Sequence, residues 1–165
     1  MSLILFGNLK IRPMFSKACE YAIRATIFIA SESEKGNRTN LKDISREIGS
    51  PEAFTAKTLQ KLRRSGIVTS TKGAQGGFEI LPQKLKSLYL AQIVVAIDGD
   101  HVYKRCSLGL HKCSEDHPCP FHSKFKIVRQ NLQNVLENTS LFELSLGLVD
   151  GNTFLKSLTP DVVEK

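Results

Sequence analysis

Three of the four cysteines in this 165-residue chain lie within one short polar segment, CSLGLHKCSEDHPCPFH, residues 106–122. The spacing of its possible ligands is Cys106-x6-Cys113-x5-Cys119-x2-His122. Thiolates are soft donors that suit iron–sulfur clusters, zinc and copper(I). Structural zinc sites usually have cysteines two to four residues apart. The gaps of six and five residues here indicate a loop that surrounds something larger than a single ion. The segment therefore predicts a metal centre.

Two other interpretations of these thiols stay open on the residues alone. The thiols would either pack against neighbouring side chains, which the polarity of the segment disfavours, or form a disulfide in response to oxidants. The sequence has no apolar run near the roughly 20 residues that span a membrane, and the run at residues 3–6 is too short for a signal peptide. We therefore expect a cytoplasmic protein without a membrane partner. In that reduced compartment, cysteines favour metal or redox chemistry over structural disulfides.

The positive charge lies mainly in the first half of the chain. The formal net charge is +7, and residues 14–86 hold 13 basic and 7 acidic side chains. Residues 87–165 hold 8 basic and 9 acidic side chains. A basic half followed by a nearly neutral one favours a module that binds a polyanion, joined to a segment with another task. The sequence contains no phosphate-binding loop, nucleophile elbow or two-metal carboxylate cluster that would indicate an enzyme.

The basic half has the helix pattern of a helix-turn-helix. Apolar residues at helical spacing predict a first helix over residues 16–31. A second helix, 41–48, begins after Asn40 as its N-cap and ends at Gly49, and a third covers residues 51–65. Two helices joined by a short turn that contains glycine are typical of this motif.

The third helix is followed by a predicted β-hairpin. The helix is expected to bury three apolar side chains and to expose three cations, which are Phe54, Leu59 and Leu62 inward and Lys57, Lys61 and Arg64 outward. Two short strands, IVTSTKG and GFEIL, flank a glycine-rich tip, GAQGG, with Lys72 at its edge. A hairpin in this position is a wing. The fold class is therefore predicted to be mainly α with a small β-hairpin, as a winged helix-turn-helix over residues 14–86.

Beyond the wing the sequence predicts a helix, the cysteine loop and a long helix. The helix over residues 86–98 has Leu88, Ala91 and Val95 at near-helical spacing and ends at Gly99. In the long helix apolar residues recur at spacings of four, three, four and three, which is typical of a seam between two helices. The seam residues, predicted to form a homodimer interface, are Phe121, Phe125, Val128, Leu132 and Val135. The alternative is a helix that packs only on its own domain.

These patterns divide the chain into four segments. Residues 87–140 are predicted to hold the linker helix, the cysteine loop and the dimerisation helix. Residues 141–165 are expected to be a C-terminal tail, and residues 1–13 an N-terminal extension or vector-derived residues. If the long helix forms a dimer, each subunit would place the second helix of its helix-turn-helix on one of two successive half-sites of DNA.

Over residues 14–140 the chain resembles the IscR/NsrR/CymR family of winged-helix transcription regulators. The resemblance rests on SKACEYAIRA, on SPEAFTAKTLQKLRRSGIVTSTKGAQGGF and on the three-cysteine loop, in that order. It implies a homodimer formed by the helix after the loop, and DNA contacts from the recognition helix and from Lys72 of the wing. The first cysteine gap is six residues where the best-known cluster-binding members have five. Ala56 replaces a glutamate that one branch uses to discriminate targets, so no target sequence transfers.

In cluster-binding members of that family three loop cysteines ligate iron, and the fourth ligand varies. The resemblance implies Cys106, Cys113 and Cys119 as ligands. His122 is the preferred fourth ligand because it belongs to the same loop, and Glu20 of the first helix, reaching over from the partner subunit, is the alternative. The expected cofactor is an iron–sulfur cluster, 2Fe-2S or 4Fe-4S, which a crystallised form can lack.

Together these observations predict a DNA-binding transcription regulator, a repressor, that binds double-stranded DNA as a homodimer and responds to the state of the cluster. The predicted DNA-contacting residues are Lys17, Ser50, Ala53, Thr55, Lys57, Lys61, Arg64, Lys72 and Gln75. Two alternatives stay open. One is a regulator of the same fold without a cluster, which senses by thiol oxidation or through a partner protein. The other is a zinc-binding interaction module whose basic face meets an acidic protein.

Overall fold

The computed structural model describes residues 14–106, 108–110 and 113–156. The predicted N-terminal extension, residues 1–13, and the end of the predicted tail, residues 157–165, lie outside the described residues. The elements in chain order are α1 (Lys17–Glu34), α2 (Leu41–Ile48), α3 (Glu52–Arg64), β1 (Thr69–Thr71), β2 (Gly77–Glu79), α4 (Pro82–Leu85), α5 (Leu90–Asp98), α6 (His101–Lys104), α7 (His122–Asn138) and α8 (Leu141–Val149). The expected fold class, mainly α with a small hairpin, is confirmed. None of the helices within these described ranges is both long enough and apolar enough to cross a membrane.

Helix α1 is the central helix of the core. It begins after Ser16, whose side chain accepts a hydrogen bond from the backbone N–H of Cys19 at 3.1 Å. Its buried face contains Ala22, Ala25 and Ile29, all without solvent exposure. Because alanine side chains are short, neighbouring helices approach α1 closely, and α2, α3, α5 and α8 all pack against it.

Helices α2 and α3 form the predicted helix-turn-helix. The Asn40 side chain accepts a hydrogen bond from the backbone N–H of Asp43 at 2.9 Å, as expected of an N-cap. Gly49 ends α2 in the left-handed conformation, with φ at 62°, which glycine adopts at low cost. The turn between the helices is therefore determined by residues that the sequence identifies.

One residue of α3 that was expected to lie in the core is exposed. Leu59 and Leu62 are fully buried, whereas Phe54 is 37% exposed and its ring meets that of Tyr21 edge-on, with the centroids 5.4 Å apart. The buried stripe of α3 begins at Thr55 and includes both leucines. Phe54 is one residue earlier and so points about 100° away from that stripe. The prediction that Phe54 faces the core is wrong.

The wing is a short antiparallel hairpin that is joined to the segment between α1 and α2. Ser70 pairs with Phe78, and the backbone of Phe78 also pairs with that of Thr39. The Arg38 guanidinium forms an ion pair with Glu79 at 2.9 Å, which adds a second link between β2 and the segment before α2. A Cβ atom at Gly77 would lie 2.8 Å from the Thr39 carbonyl oxygen, so only glycine fits this close approach.

The helix expected over residues 86–98 is shorter than predicted. Helix α5 begins at Leu90, because the preceding backbone is extended and bonds to the segment between α7 and α8. The Leu90 N–H donates to the Thr139 carbonyl at 3.1 Å, and the Leu141 N–H donates to the Leu88 carbonyl at 2.8 Å. Leu88 is buried and Ala91 packs against the core, as predicted, whereas Val95 is 47% exposed. The fully buried residues of α5 are Ile93 and Val94.

The segment expected to be a C-terminal tail contains a helix. Helix α8 is capped by Ser140, whose hydroxyl accepts a hydrogen bond from the backbone N–H of Glu143 at 3.1 Å. Leu141 is fully buried, and Leu144 and Leu148 pack on the same core. The leucine spacing of three and four gives α8 an apolar face, and α1 covers that face.

Candidate nucleic-acid interface and metal centre

The exposed surface of α3 and the wing is basic. Lys57, Lys61 and Arg64 are exposed on α3, as predicted, and Lys72 is exposed at the end of β1. Within the ranges that the structure describes, none of these four cations forms an ion pair. Cations that are not neutralised by a neighbouring carboxylate remain available to phosphate groups. A basic surface on a helix and the hairpin that follows it is typical of a polyanion-binding module.

The other predicted DNA contacts differ in their accessibility. Ala53 and Gln75 are exposed. Lys17 is exposed at the start of α1, where it forms an ion pair with Glu20 at 2.8 Å. Thr55 is fully buried, and its hydroxyl donates to the Pro51 carbonyl at 3.1 Å. Its side chain therefore faces the core, which argues against the predicted DNA contact.

Ser50 needs the same correction as Thr55. Only 9% of Ser50 is exposed, and its hydroxyl oxygen is buried without a hydrogen-bond partner among the described residues. A direct DNA contact by this side chain would require it to move. Ser50 sits in the turn between α2 and α3, where its burial argues against the predicted side-chain contact.

Sequence reasoning missed part of the basic surface. A shallow groove between α3 and the wing is lined by residues that include Lys57, Gln60, Arg63, Ser70 and Phe78. Gln60 and Arg63 are exposed polar residues of α3 outside the predicted set. Gln60 lies three residues after Lys57 and Arg63 three residues after Gln60, which was the available signal, because residues at i and i+3 lie on one face of a helix.

The first pair of loop thiols is Cys106 and Cys119, both half-buried. Hydrogen bonds with the backbone at Leu110 and Leu108 lower the pKa of the Cys106 thiol below its ordinary value of 9.0. The neighbouring Cys119 thiol and the positive charge of Arg129 lower that pKa further. A lowered pKa increases the fraction of Cys106 that is thiolate, which is the form that binds metals.

The second pair of loop donors is Cys113 and His122. The Cys113 Sγ atom lies 3.2 Å from the Nδ1 atom of His122, whose ring is 8% exposed. His122 begins α7, and its backbone N–H donates to the Cys119 carbonyl at 2.9 Å. Arg129, two turns further along α7, donates from Nη1 to Cys113 Sγ at 3.2 Å. The first turns of α7 thus bring an imidazole and a guanidinium to one sulfur.

The four predicted ligands do not form a single-ion site among the described residues. Within the described ranges, no three His, Cys, Asp or Glu side chains converge closely enough to hold one metal ion. A tetrahedral zinc site needs all four donors about 2.0–2.3 Å from one point. In an iron–sulfur cluster the ligands are divided between irons, so the four donors need not meet at one point. Cys106, Cys113 and His122 also border one open cleft of about 1120 Å³, which has room for more than one ion.

Glu20 and Cys19 lie away from the possible ligands of the cysteine loop. Glu20, the alternative fourth ligand, is ion-paired with Lys17, and no hydrogen bond joins its carboxylate to the described loop residues. Cys19, the fourth cysteine, is fully buried in α1. Burial, together with the negative charge of the Asp98 carboxylate, raises the pKa of Cys19 to about 12. Cys19 is therefore a packing residue.

The predicted seam on α7 is only partly covered in the single chain. Phe121, Val128 and Val135 are 43%, 52% and 59% exposed, whereas Phe125 and Leu132 are partly buried. Leu132 packs against the cluster formed by Cys19, Val94 and Leu136. Exposed apolar side chains that recur along one helix are typical of an interface rather than of a solvated face.

Comparison with known proteins identifies the family. A family model named Rrf2 and described as an iron-dependent transcriptional regulator matches residues 15–145. The chain belongs to the Rrf2 family. The HTH-type transcriptional regulator IscR of Klebsiella pneumoniae is similar to this Rrf2 chain, with 29% identity over 124 residues that cover 75% of the chain and 74% of IscR. As an Rrf2 protein, the chain is a DNA-binding transcription regulator rather than an enzyme.

Two solved structures share the fold of this Rrf2 chain. CymR of B. subtilis, described as the global cysteine regulator, has a TM-score of 0.65 and 22% sequence identity, with 80% of this chain and 95% of CymR covered. T. potens IscR also has a TM-score of 0.65, with 18% identity and coverage of 89% and 95%. These likenesses confirm the winged-helix architecture.

The different environments of Cys106 and Cys19 predict different reactivity. In metal-free protein, Cys106 should be alkylated by iodoacetamide with a midpoint below pH 9.0, because its pKa is lowered. Cys19 should stay unlabelled until the protein is unfolded, because it is fully buried and its thiol has a pKa of about 12. Peptide-resolved mass spectrometry across a pH series measures both rates. A midpoint for Cys106 at or above that of a free thiol would contradict this assignment.

Proposed function

We propose that this Rrf2 protein binds double-stranded DNA as a homodimer and that an iron–sulfur cluster held by its cysteine loop changes its DNA affinity. The observation that carries the proposal is the pairing of four donors, three thiols and an imidazole, at the start of a helix with an exposed apolar row. The loop and the row share α7. A change in the ligands can therefore reach the contact between two subunits.

The DNA part of the proposal rests on the basic surface of α3 and the wing. Lys57, Lys61 and Arg64 would face the major groove, and Lys72 and Gln75 would approach the backbone from the wing. Salt-dependent contacts of this kind supply a large share of protein–DNA affinity. The Arg38–Glu79 ion pair at 2.9 Å supports the role of the wing, because it holds β2 against the segment that leads into α2.

The cluster part of the proposal rests on the donor set and on the family. Cys113 Sγ lies 3.2 Å from His122 Nδ1, and the Cys119 thiol is close enough to lower the pKa of the Cys106 thiol. Two such pairs of neighbours would suit a two-iron cluster with two protein ligands for each iron. The description of the family as iron-dependent agrees with iron as the metal. A bound cluster would supply a change of charge or of ligation in response to redox conditions. The protein's own residues hold the thiolates and limit their exposure to solvent.

A second candidate function keeps the fold and omits the cluster. The lowered pKa of Cys106, and the neighbouring Cys119 thiol, would suit a sensor that forms a disulfide when oxidised. Reconstitution distinguishes the two, because thiols alone absorb no visible light.

The DNA-binding surface can be tested by charge removal. Lys72→Ala should weaken binding to a mixed-sequence duplex and lower the slope of log K against log salt by about 1 if one phosphate contact is lost. Lys57→Ala and Lys61→Ala added to Lys72→Ala should weaken binding further. Fluorescence anisotropy over a salt series measures each effect. Lys124→Ala, which removes an exposed lysine of α7, serves as the control of equal charge. Unchanged binding by the triple variant would exclude this surface.

The cluster ligands can be tested by anaerobic reconstitution with iron and sulfide. Cys106→Ala, Cys113→Ala and Cys119→Ala should each lose visible absorption and bound iron, because a cluster without one thiolate is exposed and labile. His122→Ala should weaken the cluster or shift its potential, since Glu20 or an external thiol can substitute for the imidazole. Cys19→Ala should keep its colour. Wild-type protein that stays colourless would favour the thiol sensor, and a stoichiometric zinc content would favour a zinc module.

The homodimer can be tested at the centre of the exposed row. Val128→Asp places a carboxylate where we expect the partner helix, at a cost of several kcal/mol if the charge is buried. The variant should sediment as a monomer at concentrations where the wild type is a dimer. Gln130→Asp changes an exposed position of α7 outside the row and should leave the dimer intact. A dimeric Val128→Asp variant would place the interface elsewhere.

A further inference from the structure

One side chain of α7 connects two separate parts of the cysteine loop. Arg129 donates from Nη1 to the Cys113 Sγ atom at 3.2 Å and to the Arg105 carbonyl at 3.3 Å. Its guanidinium also lies over the ring of Phe125, at 5.7 Å from the ring centroid. Arg105 immediately precedes Cys106 in the chain. A single guanidinium therefore fixes the backbone before the first cysteine and the sulfur of the second.

The chemistry of the guanidinium suits this position. Arginine stays charged at any physiological pH, and its planar donors can contact two acceptors at once. Phe125 is one turn before Arg129 on the same helix, so its ring limits the directions that the guanidinium can take. The group is thus held in one orientation, with a positive charge beside a potential thiolate.

A second cation of α7 gives a natural comparison. Lys126 lies one turn before Arg129 and forms an ion pair with Glu115 of the loop. Lys126 therefore also joins α7 to the loop, but no hydrogen bond joins its ammonium to a described thiol. If the loop needed only a nearby cation for its folding, either residue would serve. The hydrogen bond to Cys113 distinguishes Arg129.

We propose that Arg129 is a positioning residue of the cysteine centre: it holds the Cys113 sulfur toward the other ligands and donates a hydrogen bond to that thiolate when a cluster is bound. This inference rests on the proposed cluster. Hydrogen bonds to ligand sulfurs and nearby positive charge stabilise the reduced, more negative form of a cluster, so they raise its reduction potential. Arg129 is therefore expected to hold the loop in place in metal-free protein and to raise the reduction potential of a bound cluster.

The first test uses metal-free protein, so its readout does not depend on a cluster. Arg129→Ala should increase the rate of backbone hydrogen exchange several-fold in the loop peptides that contain residues 105 and 113, measured by mass spectrometry. Lys126→Ala should alter exchange near residue 115 and leave the peptide with residue 105 unchanged. Arg129→Lys keeps the charge but loses the forked geometry, and it should give an intermediate rate. Equal exchange in all three variants would contradict the positioning role.

The second test measures the reduction potential of protein reconstituted with iron and sulfide. Arg129→Ala should shift the potential downward, Arg129→Lys should restore part of that shift, and Lys126→Ala should match the wild type. A potential that is unchanged in Arg129→Ala, or shifted equally by Lys126→Ala, would overturn the proposal. A wild-type chain that takes up no cluster would instead refute the proposed function, and the exchange measurement would still decide whether Arg129 holds the loop.

Discussion

Helix α1 is surrounded by other elements of the protein, and short side chains cover the face that they approach. Ala22 and Ala25 are fully buried there, and a larger residue at either position would force apart helices that pack against each other as well as against α1. The same helix belongs to two hydrophobic clusters. One contains the helix-turn-helix and α8, and the other joins Cys19 to Val94 and Leu136 of α5 and α7. The DNA-reading half and the half with the cysteine loop are therefore built on one shared element.

This shared helix gives the loop a direct physical connection to the DNA-binding half. Asp98, the last residue of α5, accepts hydrogen bonds from the backbone N–H and the hydroxyl of Ser16, the N-cap of α1. A carboxylate at the N-terminus of a helix is stabilised by the helix dipole. Only the short helix α6 separates Asp98 from Cys106. A rearrangement of the loop would therefore act on a segment that is bonded to the start of α1, without having to cross the core.

The charges of the molecule have two separate roles. On α3 and the wing, cations such as Lys57 and Lys72 project from the surface and form no ion pairs within the described ranges. Near the loop, Lys126 is paired with Glu115, and Arg129 contacts a sulfur. The first group suits a polyanion that arrives from outside. The second group contacts acceptors of the loop itself, which are the Glu115 carboxylate and the Cys113 sulfur.

The sequence alone was sufficient for the features that depend on short-range chemistry. The Asn40 cap, the Gly49 turn, the hairpin and the clustering of donors between Cys106 and His122 all follow from residue type and spacing. Tertiary structure alone decided which of these residues face solvent and which donors meet. It buried Thr55 and exposed Phe54, a difference of one helical position, and it shortened α5 by pairing residues 88–90 with the segment after α7. It also placed Arg129 on Cys113, across 16 residues of chain. Such contacts depend on how helices from distant parts of the sequence pack, and a local pattern of residues carries no information about that packing.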